Sequence, residues 1–408
     1  MSYNAAIVGV SGYGRIHYSL MREHALLGRL NPIGATIINQ DEEAEIVATL
    51  KGMGCRIFDD YGDMLGQLGD AVDLCFIPTP IHCHASMTCR ALEAGWNVLV
   101  EKPLAPTIQE VRMIREAEQT ANRFAAVGFQ EVYSPHAQAL KRIIWSGDIG
   151  RIVSMKGRGF WPRSFSYYER NDWAGKLRTG DRWVLDSPLN NALSHYLHLL
   201  LFLAGSSRNL TARPVTLQSE LYRAQAIESF DTGCVRIRTD SGIPILFHAT
   251  HSTRENIDPE IVIECESGRI EWSVHGECRV YRNRSDEPHQ VTPPVGDQRY
   301  AMAEAVLNRL ADPDGFICTT ESAGCHTLAI NGLHESSPIH PFPDELVETI
   351  EDGEEQRTVV NGLESALNEA FGQGKLLSET GVPWARAGRE FDLVDYASYP
   401  STCLTESP

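Results

Sequence analysis

Gly9-Val10-Ser11-Gly12-Tyr13-Gly14 joins an apolar run, Ala5–Val10, to a helix-like stretch, Arg15–Leu27. Glycine is needed where a chain turns tightly from strand to helix and where its backbone must approach a bound group. The helix that follows offers unpaired N–H groups and a positive dipole end, which suit a pyrophosphate. The spacing is G-x-x-G-x-G, a variant of the dinucleotide fingerprint, and its weight comes from standing at the first strand-to-helix turn. Gly9, Ser11, Gly12, Tyr13 and Gly14 are therefore the expected cofactor loop. Further apolar runs follow at Ile33–Asn39, Val72–Ile77 and Val98–Val100, with helix-like stretches between them. This alternation predicts an α/β unit over residues 1–125, a doubly wound parallel sheet of the Rossmann type.

A chain of 408 residues exceeds what one core usually organises. The pattern changes after Ile149. Ile152–Trp161 reads as a strand. Cys234–Arg238, Ile243–Thr250, Glu260–Cys265, Arg269–Val274 and Cys278–Arg282 follow as further strands. Asp240-Ser241-Gly242 and Glu266-Ser267-Gly268 mark tight turns among them. Residues 126–408 are thus expected to form an α+β domain with a large, mostly antiparallel open sheet. One helix, Pro188–Ala204, interrupts it, and the last 30 or so residues carry no pattern that places them.

The formal charge is −18, from 36 basic and 54 acidic residues. Such a surface repels nucleic acid and anionic lipid and favours solubility. No basic leader or long apolar segment stands at the N-terminus, so the expected location is the cytoplasm. The ten cysteines form no C-x-x-C pair, and Cys75, Cys89, Cys234 and Cys265 lie in apolar runs, as free thiols in a reducing compartment would.

Val98–Val100 runs into Glu101-Lys102-Pro103. A lysine at the carboxyl end of a parallel strand lies at the crevice where a nicotinamide would sit. Partly desolvated, it can take a proton from a hydroxyl while hydride leaves the carbon. The plainer reading is a surface ion pair of little value.

With this segment the chain resembles the Gfo/Idh/MocA oxidoreductases, which include glucose–fructose oxidoreductase and inositol dehydrogenase. The matching pieces are Gly9–Gly14, Thr79-Pro80-Ile81-His82-Cys83-His84, Ala91–Gly95, Glu101-Lys102-Pro103-Leu104, Gly128-Phe129-Gln130 and Ser146–Gly150. They cover residues 5 to 205 and extend more loosely to about 335. The resemblance implies a catalytic or substrate-contacting role for Lys102. It also implies cofactor contacts at Thr79, Pro80, His84 and Glu101, and a C-terminal sheet that often serves oligomer contacts. A homodimer or homotetramer is expected, because an exposed apolar sheet face tends to be buried against a partner. Ile81 stands where the family usually has Asn.

Along Pro188–Ala204, helical spacing puts Asn191, His195 and His198 on one side and Leu193, Leu197, Leu200 and Ala204 on the other. A polar stripe on a buried helix needs polar partners, and a substrate pocket supplies them. A core histidine bonded to backbone is the usual alternative. A metal site lacks a carboxylate or thiolate in the stripe, and no metal is expected. The resemblance implies a proton-transfer histidine here, four residues after an Asp or Asn, which His195 and Asn191 match. His198 falls where the family often has Asp or Asn, and Asp186 is an alternative acid. Trp161, Arg163, Tyr167, Tyr168, Arg170 and Trp173 form an aromatic and cationic stretch suited to stacking on sugar C–H faces and bonding hydroxyls or carboxylates. It could equally be a folded-over loop. Trp161, Arg163 and Gln130 join Lys102, Asn191, His195 and His198 as candidate substrate contacts, with Tyr133 a weaker one. His326, Asn331 and His334 suggest no mechanism.

The ribose-reading position after the second strand is Asn39, which bonds a hydroxyl without repelling a phosphate. Asp41, Glu42, Glu43 and Glu45 follow it, and no Arg or Lys lies between Leu30 and Leu50. A 2′-phosphate would meet repulsion without a basic partner, so NAD is expected over NADP, with Arg15 the nearest possible rescuer. The favoured function is oxidation or reduction of a secondary alcohol on a sugar, sugar acid or cyclitol. Two rivals are an NAD-dependent glycosidase that oxidises transiently and a non-catalytic dinucleotide- or sugar-binding sensor.

Overall fold

The computed structural model describes residues 2–274, 278–282, 287–291 and 296–401, and they divide into two compact units. The first unit is built on β1 (Tyr3–Val8), α1 (Gly14–Leu26), β2 (Leu30–Thr36), α2 (Ala44–Gly52), β3 (Arg56–Phe58) and α3 (Tyr61–Leu68). It continues with β4 (Leu74–Ile77), α4 (His84–Glu93), β5 (Asn97–Val100), α5 (Ile108–Ala121) and β6 (Ala125–Val127). The six strands run parallel in the order β3-β2-β1-β4-β5-β6, so the sheet reverses direction of growth between β1 and β4. Ala5, Ala6, Ile7, Leu74, Cys75, Ile77, Val98, Leu99 and Val100 are fully buried, as strands covered on both faces require. At three residues, β3 is too short to show a period.

The expected single boundary at residue 125 is too simple. The first unit also holds residues 126–134 and 296–324. The helix Gln298–Ala311 stacks Tyr300 on His24 of α1 at 5.0 Å. Ala126 bridges Thr319, Val127 donates to the Cys318 carbonyl at 2.9 Å, and the Tyr133 hydroxyl accepts from the Cys318 amide at 2.8 Å. These contacts join residues 185 to 276 positions apart, which no local pattern discloses.

The second unit begins with α6 (Pro135–Ser146), β7 (Ile152–Phe160), α7 (Phe165–Glu169), β8 (Arg178–Thr179), β9 (Arg182–Trp183) and α8 (Ser194–Ala204). Strands β10 (Pro214–Arg223), β11 (Thr232–Thr239), β12 (Pro244–Thr250), β13 (Ile257–Cys265), β14 (Gly268–Ser273), β15 (Cys278–Arg282) and β16 (Pro288–Val291) follow. After the helices α9 (Gln298–Ala311) and α10 (Thr320–Ser336) come β17 (Ile339–Pro341), β18 (Val347–Asp352), β19 (Glu355–Val360), α11 (Leu363–Gln373) and β20 (Phe391–Asp392). The large sheet has the order β16-β15-β14-β13-β7-β12-β11-β10-β17, with β20 also on β10. Only the β7–β12 and β10–β17 pairs are parallel.

The sheet does not present the bare face expected of it. On one side Leu193 packs where a Cβ on Gly159 of β7 would lie. On the other, Phe160, Tyr222, Cys234 and Leu246 form one buried cluster with Phe342, Val360, Leu363, Leu367, Ala370, Leu376 and Leu377. Lys156 Nζ and His248 Nε2 reach the carbonyls of Phe371 and Lys375 at 2.9 and 3.0 Å. The chain's own C-terminal segment therefore covers the sheet from β7 to β10. Further out, the same side carries the half-buried Val262 among Glu264, Arg269, Glu271 and Tyr281, with Arg269 and Glu271 paired at 3.0 Å, so this part is largely polar. Within the last 30 or so residues, which the sequence left unplaced, Trp384 and Ala385 pack against this cluster and Phe391–Asp392 forms the short strand β20. The last seven residues lie outside the described ones.

Candidate active site

In the first unit the glycine loop turns from β1 into α1. Gly9 and Gly12 have φ of +85° and +54°, and a Cβ on Gly14 would lie 2.9 Å from the Gly9 carbonyl. Glycine is thus required at each position for a stated reason. The amides of Ser11, Gly12 and Tyr13 donate no hydrogen bond among the described residues. At the neighbouring end of β4 the Thr79 hydroxyl is buried and also lacks a partner. Unsatisfied donors on both sides of the β1–β4 reversal point fit a dinucleotide laid across it.

Asn39 lies beyond β2 and bonds Ser11 Oγ at 3.0 Å and Glu42 Oε2 at 2.8 Å through its amide. Arg15 pairs with the buried Glu43 at 2.7 Å. The nearest possible rescuer of a 2′-phosphate is thus already paired. Tyr13 donates to Gln130 Oε1 at 2.8 Å and accepts from Arg299 at 3.3 Å, which places Gln130 beside the loop. Arg299 had no signal in the sequence because it follows 286 residues later.

Glu101, expected at the cofactor, is instead 6% exposed and used inside the fold. Its carboxylate meets His17 Nε2 at 2.8 Å and accepts the Lys102 amide at 3.0 Å. Burial alone would raise its pKa, but the His17 bond, the His17 and Lys102 charges and the amide bring it below the usual carboxylate range. His84 is likewise buried. Its Nδ1 and Nε2 each lie 2.7 Å from a backbone carbonyl, of Pro103 and Thr79 respectively, so the ring ties the end of β4 to the end of β5. Burial pulls its pKa down, against the two carbonyls, which favour the charged ring. Both residues thus act from behind the surface that Lys102, Thr79 and Pro80 share. Lys102 itself is half-buried, directly after β5.

In the second unit the helix begins at Ser194, six residues later than the sequence indicated. Side chains compete with the helix before that point. Asn190 Nδ2 bonds the Val184 and Leu185 carbonyls, and Leu185 has φ of +53°. Asp186 is 2% exposed and accepts from the Gly175 amide at 2.6 Å and from Asn191 Nδ2 at 2.8 Å. Asn191 therefore stands in the preceding turn, oriented by Asp186. His195 and His198 lie on the helix, 9% and 0% exposed. His326 bonds the Leu189 carbonyl at 3.0 Å and so steadies this turn. Asn331 accepts the Ile108 amide at the start of α5, while His334 sits among Phe230 and Tyr399.

Trp161 and Arg163 leave the carboxyl end of β7. The indole bonds Asp258 at 2.9 Å and stands edge-on to Tyr196 of α8 at 5.8 Å. Lys141 reaches the other end of α8, donating to the carbonyls of Phe202, Gly205 and Leu210. Among the described residues no group of three His, Cys, Asp or Glu side chains is arranged for a metal.

Comparison with known proteins agrees with this architecture. Residues 3–129 match the oxidoreductase family with an NAD-binding Rossmann fold, and residues 137–271 match the GFO/IDH/MocA C-terminal domain. Inositol 2-dehydrogenase of Serratia proteamaculans is 26% identical over 282 residues, 69% of this chain and 73% of that protein. The same enzyme of Pseudomonas fluorescens SBW25 is 25% identical over 71% of this chain and 76% of its own. Among solved structures, the WlbA dehydrogenase of Chromobacterium violaceum, in complex with NADH and UDP-GlcNAcA, superposes with a TM-score of 0.68 at 24% identity. It covers 82% of this chain and 93% of its own. A levoglucosan dehydrogenase in complex with NADH gives 0.69 at 18% identity, with 82% and 96% covered. With the 3-2-1-4-5-6 sheet, the glycine loop and the lysine after β5 already in place, these matches make the chain a member of the Gfo/Idh/MocA oxidoreductases, carrying their NAD-binding domain.

Proposed function

We propose that the protein is an NAD-dependent dehydrogenase of a secondary alcohol on a sugar, sugar acid or cyclitol. The observation that carries this reading is the way β5 ends. Glu101 is locked to His17 and to the Lys102 amide, and His84 holds the Thr79 and Pro103 carbonyls, so Lys102 is fixed at the carboxyl edge of the sheet beside the β1–β4 reversal. The inositol 2-dehydrogenases among the relatives support a polyol substrate.

A bound nicotinamide supplies the hydride acceptor. Lys102 holds the reacting hydroxyl and draws off its proton, and His195 relays that proton onward. Asn191, held by Asp186, orients the substrate or His195. His198, Trp161, Arg163 and Gln130 complete the proposed substrate contacts. Ser11, Tyr13, Asn39, Thr79 and Pro80 line the cofactor, with NAD favoured by the Arg15–Glu43 pair. A homodimer or homotetramer is proposed on the family resemblance alone, since the C-terminal segment covers the face that would have driven it. The nine described cysteines are free, which supports a reducing, cytoplasmic setting. No described helix is long and apolar enough to cross a membrane.

Purified protein with NAD and a panel of sugars, polyols and sugar acids should form NADH with at least one of them. Silence across the panel, or reducing sugar released without net NADH, would overturn the dehydrogenase in favour of a sensor or a glycosidase.

A further inference from the structure

In a chain of charge −18, residues 161–183 reverse the balance, with five basic side chains (Arg163, Arg170, Lys176, Arg178 and Arg182) against three acidic ones (Glu169, Asp172 and Asp181). Arg163 lies over the rings of Trp161 and Tyr167, at 5.6 and 4.8 Å. Arg170 packs on the same Tyr167 ring at 3.7 Å. Neither guanidinium is paired with a carboxylate among the described residues. Burial raises the Tyr167 and Tyr168 pKa values, helped by the buried Asp186 at both and, more strongly at Tyr168, by the buried Asp231; Asp186 already accepts from Gly175 and Asn191, and Asp231 from the Ala224 and Gln225 amides and the Thr232 hydroxyl.

His251 stands against the same pair of tyrosines, just past the end of β12, and is 2% exposed. Its Nδ1 meets the Tyr168 hydroxyl at 3.0 Å, and its Nε2 has no partner. Burial and the two arginines push its pKa well down, so the ring is neutral. In either tautomer one donor of this neutral pair is unanswered: the Nε2 proton where the Tyr168 hydroxyl donates to Nδ1, and the hydroxyl proton where Nδ1 donates. Arg163 Nε is a second buried donor without an acceptor. Unanswered buried donors beside an uncompensated guanidinium call for an acceptor carrying negative charge. The Arg163 and His251 backbones are also joined, amide to carbonyl, at 3.1 Å, so the parallel pairing of β7 and β12 continues through this cluster and holds both groups on one frame.

We propose that Arg163, with His251 and Arg170, recognises an oxyanion borne by the substrate, which makes the substrate an acidic sugar derivative rather than a neutral sugar or cyclitol. The inference rests on the dehydrogenase reading and narrows its substrate class. A carboxylate and a phosphate share this chemistry, and the choice of probes separates them.

The test compares kcat/KM for D-glucuronate, D-gluconate and D-glucose 6-phosphate with that for D-glucose and inositol. Wild type should favour at least one charged probe over its neutral counterpart by ~10-fold or more, as a charge-assisted contact permits. Arg163→Met should collapse that ratio toward one, mainly through KM, and Arg163→Lys should restore part of it. Melting temperature and NADH affinity show that each variant is folded. A neutral preference in wild type, or a ratio unmoved by Arg163→Met, overturns the proposal while leaving the dehydrogenase standing. If no sugar reduces NAD, the dehydrogenase reading fails by itself. Calorimetric titration of the same probes into the NADH complex then decides: charged probes bound in preference, and released by Arg163→Met, uphold the anion site, and equal or absent binding of charged and neutral probes refutes it.

Discussion

His195 shows how far a single residue could be read. Its chemistry follows from residue type and family pattern, and the fold keeps it on α8 at 9% exposure. Its companion Asn191 was legible as a neighbour but not as part of a turn, because the competing bonds of Asn190 and Asp186 are tertiary facts. His195→Ala should lower kcat by ~10-fold or more, less than loss of the lysine, since water can substitute for a relay. A variant whose defect is only a lowered melting temperature would make His195 a core residue. His334 carries a different prediction. Burial lowers its pKa to about 4, and its Nε2 has no partner. The unfolded chain therefore takes up this proton first as pH falls through about 6.5, and the stability from keeping the ring neutral is lost between there and 4. Replacing it by Phe should leave stability near neutral pH little changed and spare about 2 kcal/mol by pH 4.5 in urea unfolding. Parallel pH curves for wild type and His334→Phe would contradict this.

Elements were legible where they are long and patterned. The first strand, its glycine loop and α1 follow from the sequence because a parallel strand is apolar throughout and the turn needs glycine at Gly9, Gly12 and Gly14. The buried pairing of His17 on α1 with Glu101 after β5 was not legible, since only the strand order brings those elements together. Cofactor choice belongs to this scale. The acidic stretch after β2 was visible in sequence, but the structure adds that Glu43 captures Arg15 at 2.7 Å. Fluorescence titration should show NAD binding at least ~10-fold tighter than NADP, the scale of an unpaired phosphate charge. Removing the captor with Glu43→Gln should narrow the gap by freeing Arg15. Tighter binding of NADP by the wild type would overturn the assignment.

At the scale of the whole molecule, the two-part plan was readable from the change of pattern near residue 150, and the cover on the large sheet was not. The residues that form it are spread from Phe342 to Leu377 in short elements, and their apolar partners Phe160, Tyr222, Cys234 and Leu246 lie 96 to 217 positions upstream. Sequence alone left that face bare and assigned it to another subunit. In the structure Leu367 is fully buried there, so Leu367→Ala should cost ~2–5 kcal/mol in denaturant unfolding. A loss below about 1 kcal/mol, within the range of surface substitutions, would mean that the C-terminal segment is not packed on the sheet.

In the proposed reaction Lys102 is the group that handles the substrate's proton, held in place by Glu101, His17 and His84. The most direct test is the turnover of Lys102→Met with the best substrate of the panel, measured beside its NADH affinity. Loss of the lysine should lower kcat by at least ~100-fold with NADH binding nearly intact. A variant that keeps most of its turnover would contradict it.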